Sequence, residues 1–242
     1  MTGPALGFLG SFGDAFEFIF SGQQSPLARG EVGGLEQVWD LFVTHAALSA
    51  AAMALGLAIA LPLGVYLGHR GRGELFAVAA GNAGRALPEL VLIALFVAFV
   101  GTGFDNVMLA LMILAVPPIL TNTFVGIKQV DRTAIEAARG MGMSERAIAF
   151  RIELPLAAPT IMTGVRTSAI NVIATATIAP LGGVLTLGDF ILSPNVYGDA
   201  GVIAGAILVA LFALAVELGL AALQSALTPK GVKLQRAAAD TA

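Results

Sequence analysis

Long apolar stretches alternate with short polar breaks along most of this 242-residue sequence. Residues 41–67, 75–100, 107–125, 159–187 and 202–227 each approach or exceed the roughly 20 residues a helix needs to cross a bilayer core. The first has His45 as its only ionisable residue, with Trp39 and Tyr66 near its two ends, where an aromatic belt would put them. The second contains Asn82, Arg85 and Glu89; the third is interrupted by Pro117-Pro118; the fourth is polar and reads as broken near Pro180-Leu181-Gly182-Gly183; the fifth contains Glu217. The pattern predicts an all-α polytopic membrane protein with five transmembrane helices. Upstream, residues 6–20 place Phe8, Phe12 and Phe16 on one helical face. That segment reads as an interfacial amphipathic helix or as a frayed N-terminus. It lacks a basic flank and contains Asp14 and Glu17, so it does not read as a cleavable signal.

Composition narrows the function. Only 12% of residues are charged, against about a quarter in a soluble domain. With no cysteine, disulfides, thiolate metal sites and a cysteine nucleophile are excluded, and two histidines, His45 and His69, make no metal centre. A net charge of -3 gives no reason to expect nucleic acid as a partner. The basic residues orient the spans. Arg70 and Arg72 follow the first; Lys128, Arg132, Arg139, Arg146 and Arg151 lie between the third and fourth; Lys230, Lys233 and Arg236 follow the fifth. The connections 101–106 and 188–201 have no Lys or Arg, and Arg29 is the only basic residue before the first span. This alternation places the N-terminus outside and the C-terminus in the cytoplasm. The expected organisation is an extracytoplasmic segment 1–39, a transmembrane domain 40–228 and a cytoplasmic tail 229–242, in a multi-pass plasma-membrane protein bounded by lipid.

One connection is long, residues 126–158, on the cytoplasmic side. Thr133 followed by Glu136 is a capping-box signature, predicting a short helix from Ala134 to about Arg139, ended by Gly140 and Gly142. Ser144 can cap a second helix, and Pro155 and Pro159 bound the return to the membrane. Ala137 and Ala138 are small enough for another protein's groove to close over them, with Glu136 and Arg139 offering charge at the rim. An ordinary loop helix lying on the headgroups fits the same residues.

Glu136-Ala137-Ala138, three residues, Gly142, nine residues, then Ile152-Glu153-Leu154-Pro155 resembles the EAA motif of ATP-binding cassette (ABC) importer permeases at every fixed position. Residues 117–123, 153–156, 164–167, 173–177 and 227–231 are similar to the glycine betaine/carnitine/choline (osmoprotectant) branch of those permeases. The likeness covers roughly residues 40–235; Glu89 and Pro180 depart from the family pattern. It implies the type I ABC importer permease fold. It also implies that Glu136, Ala137, Ala138, Arg139 and Gly142 form a coupling helix seated in a cytoplasmic ATP-binding subunit. ATP and magnesium would then belong to that partner, a second permease (identical or related) would complete the path, and an extracytoplasmic binding protein would deliver the solute. The sequence itself has no phosphate-binding loop and no H-E-x-x-H, so no catalytic residue and no cofactor of its own is expected.

Polar residues inside the spans are the remaining candidates. Arg85 and Glu89, four apart, could neutralise each other on one face. Glu217 has no local partner and faces another subunit, a polar cavity or the membrane edge. Arg166 reads as an interface anchor or a partner to the coupling region. Thr160, Thr163, Thr167, Asn171 and Thr175 follow helical spacing, so one face of the fourth span either lines an aqueous path or bonds to neighbouring helices. Thr121, Asn122 and Thr123 form a second candidate set, and Gly201 with Gly205 forms a GxxxG. No clustered aromatic cage for a quaternary ammonium is visible inside the spans, which assigns selectivity to the separate binding protein. Other readings are a permease for an amino acid, methionine or sulfonate, an ion-coupled secondary transporter, or a membrane enzyme. No inverted repeat, intramembrane acidic cluster or convergent catalytic set supports the last two.

Overall fold

Apolar helices dominate because every backbone N–H and C=O in a hydrocarbon layer must be satisfied within its own segment. The computed structural model describes residues 4–27, 30–86 and 88–229, with residue 231; the side chains of residues 4–9, 78 and 83–86 lie outside that description. Arg29, Lys230, Lys233 and Arg236, part of the charge pattern, also lie outside it. The order is α1 (Pro4–Phe20), a two-stranded antiparallel ribbon of β1 (Gln23–Gln24) and β2 (Glu31–Val32), α2 (Gly34–Arg70), α3 (Glu74–Ala86), α4 (Glu89–Val100), α5 (Phe104–Lys128), α6 (Arg132–Gly140) and α7 (Glu145–Ile148). A π-helical turn (Ala149–Glu153) leads into α8 (Leu154–Thr175), a 3-10 segment (Ala176–Gly182), α9 (Gly188–Leu192) and α10 (Pro194–Leu227).

Among the described residues four helical runs are long and apolar enough to cross a membrane: Gly34–Arg70, Phe104–Lys128, Glu145–Gly182 and Pro194–Leu227. The second expected span is two helices. Pro88 is extended (φ -67°, ψ 121°) and caps α4, which begins as a helix of its own at Glu89. Proline disfavours helix in the residue before it, and its own missing N–H costs nothing at a helix start. Arg85 and Glu89 therefore do not share a helical face. Pro117-Pro118, by contrast, does not interrupt α5. Two side chains also bond to the backbone beside the prolines: Ser168 Oγ donates to Ala115 O at 2.7 Å and Asn122 Nδ2 to Pro118 O at 2.8 Å. The expected break after the fourth span is present as the 3-10 segment.

The chain divides into two compact units: Met1–Ala52, Pro88–Leu111 and Asn171–Ala215 form one, and Met53–Leu87, Met112–Ile170 and Val216–Ala242 the other. The core of the first gathers Ala15, Phe18, Val38, Leu41, Leu187, Phe190, Tyr197 and Ala204. Phe18, Phe190 and Tyr197 meet edge to face, with centroids 4.9–6.3 Å apart. Each such pair contributes about 0.5–1.5 kcal/mol beyond burial. The contacts of α1 with this core come from Ala15 and Phe18. Ala15 and Phe18 are fully buried, while Phe12, Phe16 and Phe20 stand exposed on the other side; the side chain of Phe8 is outside the description. The ribbon is tied down by Gln23 Nε2 donating to Tyr197 O at 2.8 Å and Ser25 Oγ to Val196 O at 2.7 Å. Gly205 lets the backbone of α10 approach Phe190 closely.

In the second unit a seam of small residues sets the α2–α5 contact. Gly56, Ala60, Gly64 and Gly68 recur every four residues on α2. A Cβ at Gly56, Gly64 or Gly68 would stand 2.9, 2.6 or 2.8 Å from the Cβ of Ala115, Thr123 or Ile127. Such small-residue stripes allow helix backbones to pack closely where lipid removes the hydrophobic drive.

Candidate functional site

Local chemistry explains α6. Asp131, not Thr133, is its N-cap: the carboxylate accepts the Thr133 N–H at 2.9 Å, so the helix begins at Arg132. Hydrogen bonds from the Thr133 backbone and hydroxyl hold the Asp131 carboxyl below the usual carboxylate range. At the other end Met143 N–H bonds Ala138 O and Gly142 N–H bonds Arg139 O, with Gly142 at φ +83°. That pairing closes a helix with a left-handed residue, which glycine adopts without penalty. Gly140 stays inside the helix. Ser144 caps α7 as expected, accepting the Ala147 N–H at 3.3 Å.

The two alanines of the motif part company. Successive helical residues point about 100° apart. Ala137 is exposed, but Ala138 is 1% exposed and packs inward with Ile135. Ala138 therefore serves the close seating of α6 on its own chain rather than an open face. Glu136 is exposed and forms no ion pair among the described residues. Arg139 is already engaged: Nε and Nη2 donate to the Glu145 carboxylate at 2.6 and 3.0 Å.

From Glu145 the polar chain continues inward. His69, in the last turn of α2, faces Glu145 with Nε2 at 3.3 Å and Glu153 with Nδ1 at 2.6 Å. Glu153, 4% exposed, belongs to the far end of the motif. Each ring nitrogen thus lies within reach of a carboxylate. The π turn that carries Glu153 has a physical cause. Pro155 has no N–H to continue the α pattern, and Leu154 N–H instead reaches Ala149 O. The two halves of the motif are thereby joined through a residue of another helix. Neither His69 nor Glu145 was a sequence candidate, and no local spacing marks them, because His69 and Glu153 are 84 residues apart.

The charged residues of the spans are resolved in part. Arg166 and Glu217 pair with each other: Nε to Oε1 is 3.0 Å, and Nη2 reaches the same oxygen. Gln224 accepts from Arg166 and donates to Pro159 O at 2.8 Å. Glu217 Oε1 thus has its partner within the chain, while Oε2 is buried with no hydrogen-bond partner among the described residues. The side chain of Arg85 lies outside the description, and Glu89 is exposed at the start of α4.

The polar residues of α8 divide. Thr163 and Thr167 are exposed, bonding back to Pro159 O and Thr163 O; Asn171, in the other unit's share of the helix, is exposed too. Thr175 faces inward, buried, as does Thr123 of α5. Thr121 Oγ1 donates to Ala77 O at 3.0 Å, and Asn122 to Pro118 O. Thr121 and Asn122 thus bond to backbone carbonyls of the chain, the hydroxyls of Thr123 and Thr175 are buried with no hydrogen-bond partner among the described residues, and Thr163, Thr167 and Asn171 are exposed.

Comparison with known proteins agrees with this architecture. The chain is 38% identical over 203 residues to the carnitine transport permease protein OpuCB of Listeria monocytogenes, covering 84% of this chain and 91% of that one. It is 37% identical to the choline transport system permease protein OpuBB of Bacillus subtilis, covering 78% and 88%. In fold it is similar to a chain of the inward-facing MetNI methionine ABC transporter, with TM-score 0.68 at 20% identity over 79% of this chain and 96% of that one. Residues 60–230, which hold the EAA-motif residues, Ala60, Gly64 and Gly68 of the small-residue seam and the Arg166–Glu217 pair, match the model of one family. The chain belongs to that family, the inner membrane components of binding-protein-dependent transport systems.

Proposed function

We propose that this chain is the permease subunit of an ATP-driven importer for an osmoprotectant such as glycine betaine, carnitine, choline or proline betaine. The observation that carries the reading is the folded EAA motif. Its helix is capped at both ends, exposes Glu136 and Ala137, and is tied through Arg139, Glu145 and His69 to Glu153 at the head of α8. A rigid projection of this kind can pass a push from a partner to the spans without bending, which differential contacts with two nucleotide states require. Glu136, Ala137, Arg139 and Gly142 form or shape the projection; Ala138 roots it. The names of the relatives, which specify carnitine, choline and glycine betaine, support the cargo.

In this reading α3 and α4 together make a broken second span. The protein then has five spans, N-terminus outside and C-terminus in the cytoplasm, with 1–39 extracytoplasmic, 40–228 in the membrane and 229–242 cytoplasmic. ATP and magnesium are bound by a separate ATPase subunit. A second permease completes the path, a binding protein delivers the solute, and Thr163, Thr167 and Asn171 are the path candidates of choice.

Uptake of labelled betaine, choline and carnitine in cells carrying the full transporter tests both parts. Glu136→Arg and Gly142→Val are expected to cut uptake at least about tenfold and to weaken co-purification of the ATPase, with membrane levels unchanged. Unchanged uptake and co-purification in both variants sinks the coupling assignment. Uptake of methionine but none of the three osmoprotectants moves the cargo to the amino-acid class.

A further inference from the structure

Beside α6 the second unit has a groove of about 820 Å³, lined by the last turns of α2 and by residues 139–154. Its two sides differ in chemistry. Leu61, Val65, Phe150 and Leu154 make an apolar wall, and Arg70, Arg139 and Arg146 stand on the polar side against one carboxylate, Glu145. Arg139 is occupied by Glu145. Arg70 and Arg146 form no ion pair among the described residues, so the groove keeps uncompensated positive charge. Arg70 stacks over the exposed Tyr66 ring at 5.5 Å. An exposed tyrosine beneath an arginine, at the end of an apolar helix, is the arrangement found at headgroup level.

We propose that this groove binds one anionic phospholipid, its headgroup held by Arg70 and Arg146 and an acyl chain laid along Leu61, Val65, Phe150 and Leu154. Charge complementarity and the apolar wall both enter the choice of occupant. Two free guanidiniums demand an anion. A soluble phosphate would leave the wall, with Phe150 64% exposed, uncovered. Basic pockets beside membrane helices select acidic headgroups on this principle. The proposal rests on membrane placement and not on the cargo, so failure of the osmoprotectant assignment leaves it standing. Because the groove adjoins α6 and contains Glu145, a bound lipid would bias the position of the coupling helix.

Native mass spectrometry of the full transporter in mild detergent tests this, with added dioleoyl phosphatidylglycerol or phosphatidylcholine. The expected result is a preference for phosphatidylglycerol of roughly tenfold, the scale two cations near a membrane surface supply. R70Q/R146Q brings the two lipids to parity, R70K/R146K keeps the preference, and millimolar glycerol phosphate does not displace the lipid. Equal retention of the two lipids overturns the proposal. So does a preference unaltered in R70Q/R146Q, or displacement by glycerol phosphate, which would mean a plain anion site. Lipid bound only after removal of the ATPase subunit also overturns it, because the groove would then belong to a protein partner. The lipid-selectivity and displacement arms need no variant, so the test holds even if R70Q/R146Q does not assemble.

Discussion

The two units of this chain are held by opposite means. The first is closed by rings: Phe18 against Phe190 and Tyr197, with Asp189 accepting the Tyr197 hydroxyl at 2.7 Å. The second is closed by charge: among the described residues Arg139–Glu145–His69–Glu153, Arg166–Glu217 and Lys128–Glu74 all lie in it, while close approach at glycines serves both units, at Gly56, Gly64 and Gly68 as at Gly201 and Gly205. Ring packing is dense and has one good arrangement. Ion pairs at the edge of an apolar region can be exchanged for other partners at modest cost. The motif lies in the second unit, where a contact with another subunit can compete with internal ones.

The largest expected effect lies in the ring-packed unit. Phe18→Ala removes the ring that meets both partners and should cost about 3–5 kcal/mol, measured by chemical unfolding in mild detergent. The loss should be the same at low and high salt. A deficit below about 1 kcal/mol, the range of exposed positions, would mean that the rings do not hold this unit. His69→Ala comes next. It leaves Glu153 buried without its partner and should cost about 3 kcal/mol, the lower end for breaking a buried pair, with His69→Gln recovering part of it. Equal stability of His69→Ala and the parent would cut the link between the two halves of the motif. The smallest effect is at Asp131. Its pKa is lowered in the fold, so its cap stabilises α6 above the carboxyl's unfolded pKa, near ~3.9, and is lost as pH falls through the lower folded value. Protection of the Thr133 amide against hydrogen exchange, taken relative to its intrinsic rate at each pH, should therefore fall below about pH 4. In Asp131→Asn the cap persists without that pH dependence. A flat profile in the parent would show that Asp131 does not cap.

Local rules carried the reading of the loop far and then ran out. The short helix, the left-handed Gly142 and the Ser144 cap all follow from residues within a few positions of one another. The choice of Asp131 over Thr133 as cap does not, because both types cap well and the geometry of the entering chain selects between them. Prolines were the least readable signal. Pro88 stands at the start of a helix and Pro117-Pro118 inside one, a difference that the neighbouring residue types do not encode. Small residues were legible in part: Gly201 and Gly205 stood out as a GxxxG and do admit close contacts, while the longer Gly56–Ala60–Gly64–Gly68 seam passed unmarked in a uniformly apolar stretch.

Hydrophobicity, charge alternation and one gapped motif determined the membrane, the long loop and the family, because each is written in composition or in spacing along the chain. Only the tertiary structure decided which charges meet. Arg166 finds Glu217 across 51 residues and His69 finds Glu153 across 84, and nothing local encodes such meetings. They follow from where helices cross, which side-chain size and the π turn at Ala149–Glu153 settle once the chain has folded.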